Sequence, residues 1–122
     1  MERGSTPVER ARRLRKGSEF DTVYQKGTVV SGPLLVVRHL PGGEGPARWG
    51  FAVGKRISKK AVERNLIRRR LREGARVLEV APGHDIVVTA RARALGAPYG
   101  ELRAALSAIL QRAGLLEEGS ER

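Results

Sequence analysis

"FAVGKRISKKAVERNLIRRRLRE", from Phe51 to Glu73, contains the end of an expected strand, a basic turn and most of an expected long helix. Bulky and small residues alternate from Trp49 to the start of the turn, and this period of two is typical of a strand. After Ser58, a residue type that caps helices, no glycine or proline occurs until Gly74, which favours a helix over roughly residues 59–79. The centre of the chain is therefore predicted to be a strand–turn–helix unit.

The predicted long helix has one face crowded with basic side chains. At about 100° per residue, these side chains and one amide cover an arc of roughly 140°; the set is Arg64, Asn65, Arg68, Arg69, Arg72 and Arg76. Like charges four residues apart repel each other on a helix. A sequence that keeps such a row of arginines is expected to bind a polyanion, although a merely solvated charged face is the simpler alternative.

Apolar residues flank this arginine arc on both sides. One flank consists of Ile67, Leu71 and Leu78, and the other of Val62, Leu66 and Val77. We expect both flanks to be buried and the arginine arc between them to be exposed. Arg70 falls between the two flanks, where its aliphatic stem can pack while its charge reaches solvent.

The positive charge of the chain is concentrated in two segments. The 122 residues carry a formal net charge of +11, with a pI near 11.3. Residues 1–17 have six basic and two acidic side chains, and residues 55–76 have ten basic and two acidic ones, whereas residues 18–54 are neutral and residues 77–122 carry −1. This pattern favours nucleic acid as the partner over an anionic membrane surface.

The remaining elements follow from local patterns. "SEFDTVYQKG" predicts a short helix capped by Ser18, and residues 28–40 predict a strand with a break at Gly32. Residues 85–91 predict a further strand, and residues 97–114 predict an amphipathic helix. The predicted fold is α+β, a two-layer sandwich in the order α-β-β-β-α-β-α with one four-stranded sheet. The second and third strands, joined by a Gly/Pro-rich loop, are expected to pair antiparallel. Residues 1–17 are expected to be a basic flexible arm, 18–114 a single α+β domain that binds nucleic acid and 115–122 a C-terminal tail.

The central motif resembles the bacterial ribonuclease P protein subunit. The likeness rests on the basic pair Lys55 and Arg56, the signature residues Arg64 and Asn65, and the later basic residues of the helix. "RLRKGSEFDTVYQKG", "HDIVVTAR" and the final helix resemble the flanking family patterns, so that residues 12–116 are covered in order. The chain departs from the family at Leu66 and at Arg70.

The resemblance implies a left-handed β-α-β crossover around the arginine-rich helix, where general rules favour a right-handed one. It also implies a non-catalytic protein subunit of a cytoplasmic endoribonuclease. Its partners would be the catalytic RNA and precursor tRNA, with no DNA and no membrane, and the RNA would hold the active site and its Mg²⁺ ions while the 5′ leader is removed.

The resemblance further implies two sets of site residues. The expected RNA-binding set is Lys55, Arg56, Lys59, Lys60, Arg64, Asn65, Arg68, Arg69, Arg72 and Arg76. Phe20 and Tyr24 are expected to line a cleft for the single-stranded leader, where bases stack on aromatic rings. Where the family often has a further aromatic, this chain has Arg38, which we expect to contact a phosphate or to stack.

Few residues of this chain could carry catalysis. There is no cysteine, which excludes disulfides and thiolate metal sites, and the adjacent His84 and Asp85 are more typical of a turn than of an acid–base pair. Trp49 is expected to pack in the core. Two other classes stay open: a ribosomal or assembly protein that binds structured RNA, and a DNA-binding regulator, which the absence of helix-turn-helix spacing disfavours.

Overall fold

A computed structural model describes residues 17–116. The helices are α1 (Gly17–Lys26), α2 (Ala61–Arg76) and α3 (Tyr99–Arg112), and the strands are β1 (Thr28–Ser31), β2 (Leu35–Pro41), β3 (Arg48–Ala52) and β4 (His84–Ala90), with a short 3-10 helix at Ala92–Ala94. The predicted α+β order is confirmed. Most of the expected N-terminal arm lies outside the described residues, and the division into arm, domain and tail stays a prediction.

The four strands form one mixed sheet in the order β1-β2-β4-β3. β4 pairs antiparallel with β2 and parallel with β3. The expected pairing of β2 with β3 is therefore wrong, because β4 lies between them. A loop rich in glycine and proline allows a hairpin without requiring one, and β4, which is buried along most of its length, takes the central position instead. The left-handed crossover of β3, α2 and β4 stays a prediction.

The two faces of the sheet carry different helices. α2 and α3 cover the face that presents Leu35, Val37, Ile86 and Val88, and together they enclose the larger core. Trp49 belongs to this core as predicted, being 5% exposed. On the other face α1 packs through Val23 against Val87, with Phe20 and Leu40 partly buried around that contact. α1 covers only part of this second face of the sheet, on which Val36, Ala52 and Thr89 remain partly exposed.

The turn before α2 differs in detail from the prediction. The helix begins at Ala61 and ends at Arg76, and the N-cap residue is Lys60, whose side chain makes no capping hydrogen bond. Ser58 is therefore not the N-cap. Its hydroxyl instead accepts the Lys60 backbone N–H at 3.1 Å and donates to the Glu63 carboxylate, which fixes the turn.

The two ends of the described chain show details that the sequence patterns did not predict. α1 begins at Gly17, so that Ser18 lies inside its first turn rather than in front of it. At the other end, Leu115 is 3% exposed and Leu116 forms a bridge to Val80. Leu115 and Leu116 therefore contact the rest of the described fold.

Only one of the two apolar flanks of α2 is buried. Ile67, Leu71 and Leu78 pack in the core, as predicted. The other flank remains exposed, at 72% for Val62, 38% for Leu66 and 41% for Val77, and its expected burial is wrong. α3 packs close to Gly74 on one side of α2, and no other described element covers the far side.

Arg70 reaches across to the segment before α3. Its Nη1 donates to the carbonyl oxygen of Ala97 at 2.7 Å, and the side chain is half-buried. An arginine at this position therefore connects α2 to the start of α3, because its stem spans the distance while its charge satisfies a backbone carbonyl.

Candidate nucleic-acid interface

The turn between β3 and α2 presents four exposed basic side chains. Lys55 and Arg56 follow β3 directly, where the Ile57 N–H donates to the Gly54 carbonyl at 3.0 Å and closes the turn. Lys59 and Lys60 follow, and all four side chains are exposed. Within residues 17–116 none of these side chains forms a hydrogen bond or ion pair, so their charges are available to an external anion.

The arginines of α2 divide into those that hold the fold and those that point outward. Arg64 is half-buried, and its Nη1 donates to the Ser58 carbonyl at 2.9 Å, which secures the turn from within. Arg68 donates to the side-chain oxygen of Asn65, a contact confined to the helix surface. Arg76 lies 3.5 Å from Glu73, one turn away, in an exposed pair of small energetic value.

Arg69 is the clearest outward charge of this face. It is exposed, and no residue in the described part of the chain forms a hydrogen bond or ion pair with it. Arg72 is half-buried beside it along the helix. The exposed members of the predicted arginine face are therefore Asn65, Arg69 and Arg76, whereas Arg64, Arg68 and Arg72 are half-buried.

Two further arginines extend the basic surface beyond α2. Arg91 and Arg93 follow β4, and because β3 and β4 are parallel neighbours, these residues leave the sheet at the same end as Lys55 and Arg56. Arg91 donates to the Gly32 carbonyl at 3.3 Å, while Arg93 is exposed. With Ser31, Gly32, Pro33 and Ala92 they line an open cavity of about 560 Å³. Sequence patterns missed them because only the strand pairing brings these segments together.

Part of the second face of the sheet beside α1 is only partly buried, and this is where the predicted cleft would lie. Val36, Thr89 and Ala52 are neighbours across β2, β4 and β3, and all three are only partly buried. The basic end of the sheet lies directly beyond this row. α1 forms one wall of the cleft, because its Tyr24 hydroxyl lies 3.2 Å from Thr89 Oγ1.

The three predicted leader-binding residues lie close together but differ in environment. Phe20 is partly buried against the Val23–Val87 contact, so that it serves the fold as well as the wall of the cleft. Tyr24 is 40% exposed. The guanidinium carbon of Arg38 lies 4.8 Å from the centroid of the Tyr24 ring, in a cation–π contact.

An ionic network missed by sequence patterns anchors α1 to the sheet. Arg48 donates from Nε and Nη2 to the two carboxylate oxygens of Asp85, each at 3.0 Å, and from Nη1 to Glu19 of α1 at 3.0 Å. The hydrogen bond to Asp85 is the main cause that raises the pKa of Arg48, partly opposed by desolvation. Asp85 therefore pairs with Arg48.

A pair of histidines lies at the opposite end of the sheet. The rings of His39 and His84 are 6.3 Å apart between centroids and edge-to-face. Burial, and secondarily the charge of His84, lowers the pKa of His39.

In the region the structure covers, no group of three or more His, Cys, Asp or Glu side chains could hold a metal ion. Within that region, none of the helices has the length and apolar character needed to cross a bilayer.

Comparison with known proteins identifies the family. A family model described as Ribonuclease P matches residues 8–114. The chain belongs to the ribonuclease P protein family. The "Ribonuclease P protein component" of Symbiobacterium thermophilum is 42% identical over 113 residues, covering 90% of this chain and 97% of the relative. That of Roseiflexus castenholzii is 38% identical, covering 90% and 92%.

Solved ribonuclease P proteins share the fold. A Staphylococcus aureus RNase P protein mutant with defective mRNA degradation activity superimposes with a TM-score of 0.79 at 30% identity, covering 86% of this chain and 90% of that one. The RNase P protein from Thermotoga maritima gives a TM-score of 0.73 at 28% identity, covering 82% and 96%. The predicted family and fold class are confirmed.

The two residues expected to depart from the family motif have different environments in this chain. Arg70 forms the contact to Ala97 described above, so its charge is used within the fold. Leu66 is 38% exposed next to the arginine face, and no contact within the described residues explains the choice of leucine there.

Proposed function

We propose that this chain is the RNA-binding protein subunit of ribonuclease P, which assists a catalytic RNA in removing the 5′ leader from precursor tRNA. The observation that supports this most directly is a juxtaposition. In a chain of this family, exposed basic side chains of the turn after β3 and of the segment after β4 lie at one end of the sheet. The partly buried row of Val36, Thr89 and Ala52, which Tyr24 contacts through Thr89, lies at the same end.

The basic end and the outer face of α2 would contact RNA phosphates. Arginine donates in a planar fork that suits phosphate oxygens, and each neutralised phosphate releases counterions. Arg69, Lys55, Arg56 and Arg93 are the side chains best placed for this, because within the described residues none of them is held by an internal partner. Arg64 would support the surface chiefly by securing the turn.

The cleft beside α1 would take the unpaired leader. Tyr24 offers a ring that is 40% exposed next to a row of small and β-branched residues, which leaves room for a stacked base. Stacking of this kind tolerates different bases, as a subunit that serves many precursors requires.

The chemistry of cleavage would belong to the RNA partner. Mg²⁺ ions bound by that RNA supply the metal chemistry, and the protein offsets phosphate repulsion so that less Mg²⁺ is needed. The protein would act in the cytoplasm and would have no independent active site.

Reconstitution tests the proposal. The full chain is mixed with a bacterial ribonuclease P RNA and a labelled precursor tRNA over a range of Mg²⁺ concentrations. Cleavage at the 5′ end of the tRNA should need less Mg²⁺ when the protein is present, and the protein alone should not cleave. Binding without stimulation would favour a structural RNA-binding protein, and cleavage of RNA by the purified protein alone would contradict the absence of an active site.

A matched pair of variants tests the surface itself. Arg69→Glu should weaken assembly with the RNA and lower the slope of log affinity against log salt by about one phosphate contact. Arg103→Glu is the control, because it makes the same charge change at an exposed position of α3. Glutamate keeps the atoms of Arg103 that pack against Gly74. Equal losses in both variants would mean that only net charge matters and that α2 is not the binding face.

A further inference from the structure

Tyr24 is held from two sides by residues of two different strands. Its hydroxyl lies 3.2 Å from Thr89 Oγ1 on β4. The guanidinium carbon of Arg38, on β2, lies 4.8 Å from the ring centroid. A tyrosine side chain has two rotatable torsions, and these two contacts restrain the position of both the ring and its polar tip.

The two contacts leave Tyr24 with one usable face. Arg38 covers one side of the ring, while 40% of the side chain remains exposed. The Arg38 guanidinium forms no hydrogen bond to any residue between 17 and 116, so its contact with the ring is its only specific interaction there. A base arriving at Tyr24 would therefore meet a ring that is already oriented and open on one side.

We propose that Arg38 and Thr89 are positioning residues that hold Tyr24 as a preorganised, one-sided stacking platform for a single leader base. The inference rests on the proposed leader-binding function of the cleft. It differs from the sequence-based expectation that Arg38 itself contacts a phosphate of the RNA or stacks on it, because Arg38 acts here through the tyrosine. Preorganisation raises affinity by removing the entropy of ordering a side chain at the moment of binding.

Three conservative substitutions separate the contributions of Thr89, the Tyr24 hydroxyl and Arg38 to leader binding. Thr89→Val keeps the β-branched shape and removes the hydroxyl, Tyr24→Phe removes the other partner of the same contact, and Arg38→Met keeps the aliphatic stem and removes the charge. The measured quantity is leader-dependent affinity, the ratio of holoenzyme affinities for precursor tRNA with a long leader and for mature tRNA. Each substitution should lower this ratio by about 2- to 10-fold, the range expected for one such contact.

Double variants show whether Arg38 and Thr89 position Tyr24 or contact the RNA directly. Thr89→Val and Tyr24→Phe together should be no worse than either one alone, because they remove the same hydrogen bond. Arg38→Met should have no effect in a Tyr24→Ala background and should leave the salt slope of binding unchanged. Arg38→Lys should recover part of the loss, since lysine retains the cation over the ring.

Opposite results would overturn the inference in recognisable ways. If Arg38→Met lowers the salt slope by about one contact and still weakens binding when Tyr24 is absent, Arg38 binds a phosphate directly. If Thr89→Val and Tyr24→Phe add fully, the hydroxyl contact does not position the ring. If Tyr24→Ala leaves the leader dependence unchanged, the leader-binding cleft itself is wrong. Melting curves for every variant verify that the domain is folded.

Discussion

Replacing Arg48 by methionine would test whether the ionic network anchors α1 to the sheet. Arg48 donates three hydrogen bonds of 3.0 Å, two to Asp85 on β4 and one to Glu19 on α1. Methionine keeps the unbranched stem and removes every donor. The Asp85 carboxylate, whose side chain is only 13% exposed, would then lose its only side-chain partner within the described residues.

The two halves of the network should differ in strength. Hydrogen bonds to charged groups contribute roughly 1.5–3 kcal/mol, and the cost rises when a nearly buried charge is left unpaired. The bidentate pair with Asp85 should therefore account for about 2–3 kcal/mol. The side chains of Arg48 and Glu19 are 37% and 25% exposed, so solvent screens that bond and it should contribute about 0.5–1 kcal/mol.

The assay is chemical denaturation followed by a double-mutant cycle. Arg48→Met should lower the free energy of unfolding by about 3 kcal/mol, which corresponds to a fall in melting temperature of roughly 10–20 °C for a domain of this size. Asp85→Asn removes the stranded charge, so the double variant should be less destabilised than the sum of the two single variants. Arg103→Met, which removes a charge from an exposed site, should change stability by less than about 0.5 kcal/mol.

Hydrogen exchange locates the effect within the fold. Loss of the Glu19 contact should speed amide exchange in α1 more than in α3, because α1 packs on the sheet through the small Val23–Val87 contact. The reasoning would be refuted if Arg48→Met melts like the unchanged protein, or if the Arg48 and Asp85 variants are simply additive.

Three other outcomes follow from single contacts. Arg70→Met should lower the free energy of unfolding by about 1–2 kcal/mol in urea titrations, since the Ala97 carbonyl loses a charged donor, while RNA affinity falls less than in Arg69→Glu. Gly27→Ala should destabilise the protein by about 1–3 kcal/mol in the same titrations, because a Cβ atom there would lie 2.5 Å from a backbone carbonyl oxygen. The pKa of His39 is lowered in the fold, so folding favours its neutral ring. The contribution of this ring to the free energy of unfolding is therefore complete above pH 6.5 and is lost as the pH falls from 6.5 through its folded-state pKa. His39→Gln should make the free energy of unfolding depend less on pH in that range, and an unchanged pH profile would contradict this.

The sequence alone determined the elements and the arginine face of α2. Period-two and period-3.6 patterns are local, because they depend on the backbone geometry of a single segment. They therefore predicted a strand over residues 48–54 and a helix over roughly residues 59–79, where the structure has Arg48–Ala52 and Ala61–Arg76. They also predicted the burial of Ile67 and Leu71. The concentration of positive charge around that helix likewise needed no tertiary information.

Only the tertiary structure decided which segments meet. Nothing local reveals that β4 separates β2 from β3, because strand pairing depends on the burial of the whole sheet. That pairing brings Arg91 beside the turn after β3 and joins Asp85 to Arg48. The packing of α3 on only one side of α2 leaves Val62 exposed. A helical pattern shows which residues share a face, but whether that face is covered depends on the neighbours that the complete fold supplies.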